Sequence, residues 1–107
     1  MSTLSHPAAV VARLEEIDEQ LAAVQNEYEE AALRWFRSKR SRERSYAEAF
    51  MTAEGSVEAR KAQAAMETAA LGMEEEARYE ALKGLLRTLE VRASIGQSIL
   101  RSQGRLS

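Results

Sequence analysis

The residues of this 107-residue chain best suited to chemistry lie between Arg34 and Tyr46. Six cations, Arg34, Arg37, Lys39, Arg40, Arg42 and Arg44, are interleaved there with Trp35, Phe36 and Tyr46, and Glu43 is the one acid between Arg34 and Arg44. Such a mixture suits single-stranded nucleic acid, because guanidinium groups grip phosphate oxygens in pairs and aromatic rings stack on unpaired bases. At about 100° per residue, Arg37, Arg40 and Arg44 form one stripe, and Lys39 and Arg42 lie away from it. A second reading uses the same side chains internally. In it the arginines pair with Glu67, Glu74, Glu75 and Glu76, while Trp35 and Tyr28 belong to the core. Six cations exceed the acids within reach, so both readings stand at this point.

Other chemistries find no support. Cysteine is absent, which removes disulfides, thiolate nucleophiles and Cys-ligated metals. His6 is the sole histidine and has no partner in the sequence. The acidic clusters Glu15-Glu16, Asp18-Glu19 and Glu74-Glu75-Glu76 read as solvated helix faces rather than a metal site. Ser38, Ser41 and Ser45 lack a base to activate them. Gly72, Gly84 and Gly96 are spaced by twelve along a helical pattern and form no phosphate loop. The expectation is a protein that is not an enzyme and uses no cofactor or metal. A net charge of −2 argues against bulk attraction to duplex DNA while leaving room for a local basic patch. No run approaches the roughly 18 apolar residues of a membrane span, and no basic-then-apolar leader opens the chain. A cytoplasmic location is therefore expected.

Long helices must carry these residues. The chain is rich in Ala, Glu, Leu and Arg and poor in β-branched residues, a composition of coiled coils. Pro7 suits a first helical turn and Ser5 suits the cap before it, with residues 1–5 frayed. From there Val10, Leu14, Ile17, Leu21, Val24, Tyr28, Ala31 and Trp35 repeat in steps of four and three, a heptad seam. Beyond Trp35 that seam falls on Ser38, Arg42, Ser45 and Ala49, so the apolar stripe is expected to resume through Tyr46 and Phe50 at a shifted phase. The first helix is predicted over about 7–52, with a turn at about 53–56 in which Gly55 ends one helix and Ser56 caps the next. The second is predicted over about 57–101, facing inward through Ala62, Ala65, Met66, Ala69, Ala70 and Met73, then through its leucines. A frayed tail is expected at 102–107.

Charge supplies an independent test of how the helices lie. Residues 1–33 sum to −6, 34–44 to +5, 45–81 to −5 and 82–107 to +4, the alternation an antiparallel hairpin needs. With a turn near Gly55, paired residue numbers sum to about 109, which sets Trp35 opposite Gly72 and Met73, and Leu14 opposite Ile95. The predicted fold is all-α: one domain over 1–107, a long antiparallel two-helix hairpin. Met66, Met73, Leu85, Leu86 and Ile99 are more than one partner helix covers, so the hairpin is expected to assemble into a helical-bundle homo-oligomer.

Three segments carry a resemblance: Tyr46-Ala47-Glu48-Ala49-Phe50, Glu54-Gly55-Ser56-Val57-Glu58-Ala59-Arg60-Lys61-Ala62, and Leu89-Glu90-Val91-Arg92-Ala93-Ser94-Ile95-Gly96-Gln97-Ser98. Together they resemble small helical bacteriophage proteins encoded among replication and recombination genes, over about half the chain. The resemblance implies a recombination or single-strand-binding accessory role and assigns no residue a chemical task. The sequence reading is thus a non-enzymatic accessory that binds single-stranded nucleic acid through the basic segment. A protein-interaction module that lays a helix face on another protein is the alternative.

Overall fold

In a computed structural model, which describes residues 6–106 and the side chains of residues 6–104, three α-helices follow one another: α1 Pro7–Thr52, α2 Val57–Thr68 and α3 Met73–Leu106. The fold is all-α, as predicted, but the expected second helix is two. The expectations for residues 1–5, including the Ser5 cap, lie outside the described residues.

Local chemistry explains the helix ends. Pro7 occupies the first position of α1, where an N–H would have no partner. Val10 N–H closes the first turn on His6 O at 3.0 Å. At the other end the Thr52 hydroxyl donates to Glu48 O, and Gly55 adopts a left-handed φ of 107° that turns the chain. Ser56 then caps α2, its hydroxyl oxygen accepting from Ala59 N–H at 3.2 Å. Glu58 stands in the first turn, where the helix dipole favours an acid. α3 opens with Glu74, Glu75 and Glu76, again the sign that an N-terminus favours. It continues through Leu106, past the expected end near residue 101, so most of the tail expected to fray is helical.

The break between α2 and α3 has a definite cause. Gly72 has φ of +80°, which no right-handed helix accommodates. A Cβ placed there would lie 3.2 Å from Trp35 Cζ3 and 3.3 Å from Ser38 Cβ. The predicted contact between Trp35 and Gly72 is present, but the glycine meets the indole by leaving the helix rather than by thinning it. Leu71 N–H and Met73 N–H donate to Thr68 O and Ala70 O, three-residue turns that carry the chain across the gap.

The chain forms two units, Met1–Glu29 with Ala81–Ser107, and Glu30–Glu80. In the first, Leu14 packs against Gly96, where a Cβ would fall 2.7 Å from Leu14 Cδ2, one position from the pairing expected. Val10 and Ile17 of α1 and Leu82, Leu86 and Leu89 of α3 are buried there. In the second unit Trp35 meets Gly72 while Arg60 Nε donates to Phe50 O at 3.1 Å, so residue numbers rise along one helix as they fall along the other. That pairing is antiparallel.

Two details of the seams differ from expectation. The α1 seam does not change phase: Ser38, Arg42 and Ser45 are half-buried and Ala49 is buried, in register with Ala31 and Trp35. Small and polar residues occupy the seam here; at Ser38 the facing chain comes close, a Cβ at Gly72 falling 3.3 Å from Ser38 Cβ, while Tyr46 and Phe50 flank the seam half-buried. On α2 the inward stripe is Arg60, Ala64 and Thr68, with Thr68 Oγ1 donating to Ala64 O at 2.8 Å. Ala62, Ala65, Ala69 and Ala70 are exposed instead, as is Met66 at 81%, because the apolar face so marked is the solvent face. Met73 is likewise exposed.

Two glycine-to-alanine changes should act in opposite directions. Gly72→Ala forces a left-handed alanine, at a cost of about 1–2 kcal/mol. It crowds Trp35 as well. Gly84→Ala lies in a helix with nothing within 4 Å of the new methyl. That change should gain about 1 kcal/mol. Thermal melts followed by circular dichroism should show a lower midpoint for the first and a higher one for the second. Equal shifts of the same sign would contradict this account of the break.

Candidate nucleic-acid interface

All nine residues singled out between Arg34 and Tyr46 sit on α1 within the unit Glu30–Glu80, and helix geometry sorts them. Seam positions Ala31, Trp35, Ser38 and Arg42 face the rest of the unit. Two residues further on along the helix, and so on its far side, lie Leu33, Arg37, Arg40 and Arg44. All four are exposed. The arginine stripe therefore stands on the line of α1 most remote from its own seam.

That placement speaks against the second of the two readings, internal pairing, for these cations. Among the described residues Arg37, Arg40 and Arg44 form no ion pair, and none of Glu67, Glu74, Glu75 or Glu76 pairs with any member of the basic segment. Three ion pairs are local: Arg13 with Glu16, Arg34 with Glu30 at 3.4 Å, and Lys61 with Glu58. The side chains of Arg34 and Glu30 are 63% and 68% exposed, so water competes for the contact and it adds little stability. Pairing across the helices is absent among the described residues: Arg40 and Arg44 point away from the seam, and Arg37 comes near Glu75 without an ion pair. Arg34 and Arg37 do line a shallow recess with Ser38, Ser41 and Glu75, two cations and two hydroxyls around one carboxylate.

Trp35 is corrected from a stacking platform to a core residue. It is 7% exposed, pressed on Gly72, and offers no open face to a base. Its ring instead supports two cations, with Lys39 Nζ 5.4 Å and Arg42 Cζ 5.8 Å from the centroid. Lys39 also lies 5.8 Å from the Phe36 ring. These two half-buried cations are held in place by π-faces, each such contact contributing about 0.5–1 kcal/mol. Phe36 is the accessible aromatic, 52% exposed and tilted 55° against Tyr79 at 6.3 Å. Tyr46 is half-buried beside Arg42, Glu43 and Thr68.

Two participants lie outside the predicted set. Tyr79 on α3 props Phe36, and Arg60 on α2 spans the turn, with Cζ 4.6 Å from the Phe50 centroid and Nε bonded to Phe50 O. Arg60 is legible from the hairpin register, since 50 and 60 sum to nearly the expected value. Among the described residues, no group of three His, Asp or Glu side chains converges on a metal-sized site. No described helix is long and apolar enough to cross a membrane.

The cations on Trp35 should be structural. Lys39→Gln with Arg42→Gln removes both π contacts and should lower stability by about 1–2 kcal/mol in denaturant titration. Unchanged stability would show that the indole is held by apolar packing alone.

Family models, curated proteins and solved structures yield no match to this chain.

Proposed function

We propose that this chain is a non-enzymatic, cytoplasmic accessory protein of nucleic-acid metabolism, of the replication or recombination type carried by bacteriophages, that binds single strands through α1. The observation that supports it is the stripe Arg37, Arg40 and Arg44: three exposed guanidinium groups in line, opposite the seam, with no internal carboxylate partner among the described residues. Unpaired arginines on a rigid helix meet phosphates at little conformational cost, and their fork geometry favours two-point contacts. Phe36 beside them provides a ring for one unpaired base, which a duplex would not offer. The net charge of −2 confines attraction to this patch and agrees with a weak, salt-sensitive grip.

A second reading has its own observation. Met51, Met66 and Met73 are 73%, 81% and 60% exposed, and flexible thioethers of this kind adapt to varied apolar partners. On that reading the protein is an adaptor or inhibitor that presents a helix face to another protein.

Fluorescence anisotropy with labelled single- and double-stranded oligonucleotides over a salt series separates the two. The wild type should prefer the single strand, with affinity falling as salt rises. Arg37→Gln, Arg40→Gln and Arg44→Gln together should reduce the slope of log affinity against log salt by about 0.7 for each phosphate no longer held. Helicity and melting temperature should be unchanged, since the three side chains form no ion pair within the described residues. A wild type that binds neither oligonucleotide refutes the proposal and favours the protein-adaptor reading.

A further inference from the structure

In the unit Glu30–Glu80, Arg34, Arg37, Ser38 and Ser41 of α1 and Glu75 of α3 line an open recess of about 310 Å³. Arg37 belongs both to this recess and to the stripe Arg37, Arg40 and Arg44, so the two are continuous along α1. Among the described residues the side chains of Arg37, Ser38, Ser41 and Glu75 form no hydrogen bond or ion pair, while Arg34 pairs with Glu30 at 3.4 Å.

Phosphate binding leaves Glu75 unexplained, because a carboxylate beside a phosphate repels it. Helix stability does not account for its place either. Glu74, Glu75 and Glu76 all stand in the first turn of α3, where an acid suits the dipole, yet of the three Glu75 alone is half-buried. An ionised carboxylate accepts hydrogen bonds and donates none, so what enters the recess beside it must donate. An unpaired cytosine does so through its N4 amino group, a recurrent partner of carboxylates in base recognition. Thymine has a ring of the same size but carries an oxygen at that position, whose lone pairs would face the carboxylate. The Ser38 and Ser41 hydroxyls both donate and accept, so they suit either pyrimidine and leave the choice to Glu75.

We propose that Glu75 selects the base: with phosphates held on the arginine stripe, the recess takes a base that carries an exocyclic amino group, cytosine before thymine. The proposal rests on the single-strand reading of the stripe. It adds a preference among bases, which the stripe cannot supply because phosphates carry no sequence information.

Fluorescence anisotropy with labelled oligo(dC) and oligo(dT) of equal length, at one salt concentration and slightly alkaline pH, tests it. The wild type should bind oligo(dC) about five- to tenfold more tightly, the effect of one hydrogen bond to a partly solvated charged acceptor. Glu75→Gln, whose amide both donates and accepts, should bring the two affinities together. Its salt slope should match the wild type, since no phosphate contact is lost. Glu75→Asp keeps the first-turn charge but withdraws the carboxylate by one methylene; it should narrow the preference too, and serves if the glutamine variant misfolds. Glu76→Gln makes the same charge change at an exposed position of that turn and should keep the preference. Salt-sensitive binding of both strands with equal affinity overturns the proposal and leaves the single-strand reading standing. Binding of neither strand overturns both. A preference for oligo(dC) that both Glu75 variants leave intact also overturns the proposal.

Discussion

Much of the unit Glu30–Glu80 depends on one contact, the indole of Trp35 against the bare backbone of Gly72. A side chain at Gly72 would crowd the ring, and its left-handed φ stops the helix, so the same residue admits the tryptophan and divides α2 from α3. With the ring seated, its face is free to hold Lys39 and Arg42. Those two cations are then committed to the fold. Arg37, Arg40 and Arg44 are left to the opposite side of α1, where no carboxylate of the described residues pairs with them.

This division follows from a seam that changes composition without changing phase. In the unit Met1–Glu29 with Ala81–Ser107, α1 meets α3 through Val10, Leu14 and Ile17, large side chains that fill the space between helices. In the unit Glu30–Glu80 the same heptad positions carry Ser38, Arg42, Ser45 and Ala49, and the facing stripe carries Ala64 and Thr68. Small residues on both sides permit close backbone approach but bury little apolar area. That unit therefore relies on Trp35, on the Arg60 bridge to Phe50 O and on the Ser56 cap. It is a frame with few strong points.

Some of this is legible in the sequence and some is hidden by its chemistry. The first helix is legible at its turn because the Gly55-Ser56 pair is a chemically specific signal, as Pro7 is at its start. Its seam is legible because apolar residues contrast there with charge. The Trp35–Gly72 contact follows from the hairpin register alone. The helix break does not, since a glycine within a helical pattern gives no sign that its φ is positive. The inward face of α2 misleads for a related reason: when the buried residues are Ala64 and Thr68, exposed alanines and methionines produce the stronger apolar signal. The basic segment stands out as a composition, but its separation into π-held and free cations needs the indole's actual position.

The central claim is that arginines on the outer line of α1 meet nucleic acid while the tryptophan stays within the core. Trp35 is the sole tryptophan, so its fluorescence reports on that ring alone. Its emission and its accessibility to acrylamide, measured while a single-stranded oligonucleotide is titrated to saturation, test the claim most directly. The account predicts a shielded, blue-shifted emission that saturating oligonucleotide neither quenches nor exposes. Strong quenching in step with binding would place a base on the indole and contradict it.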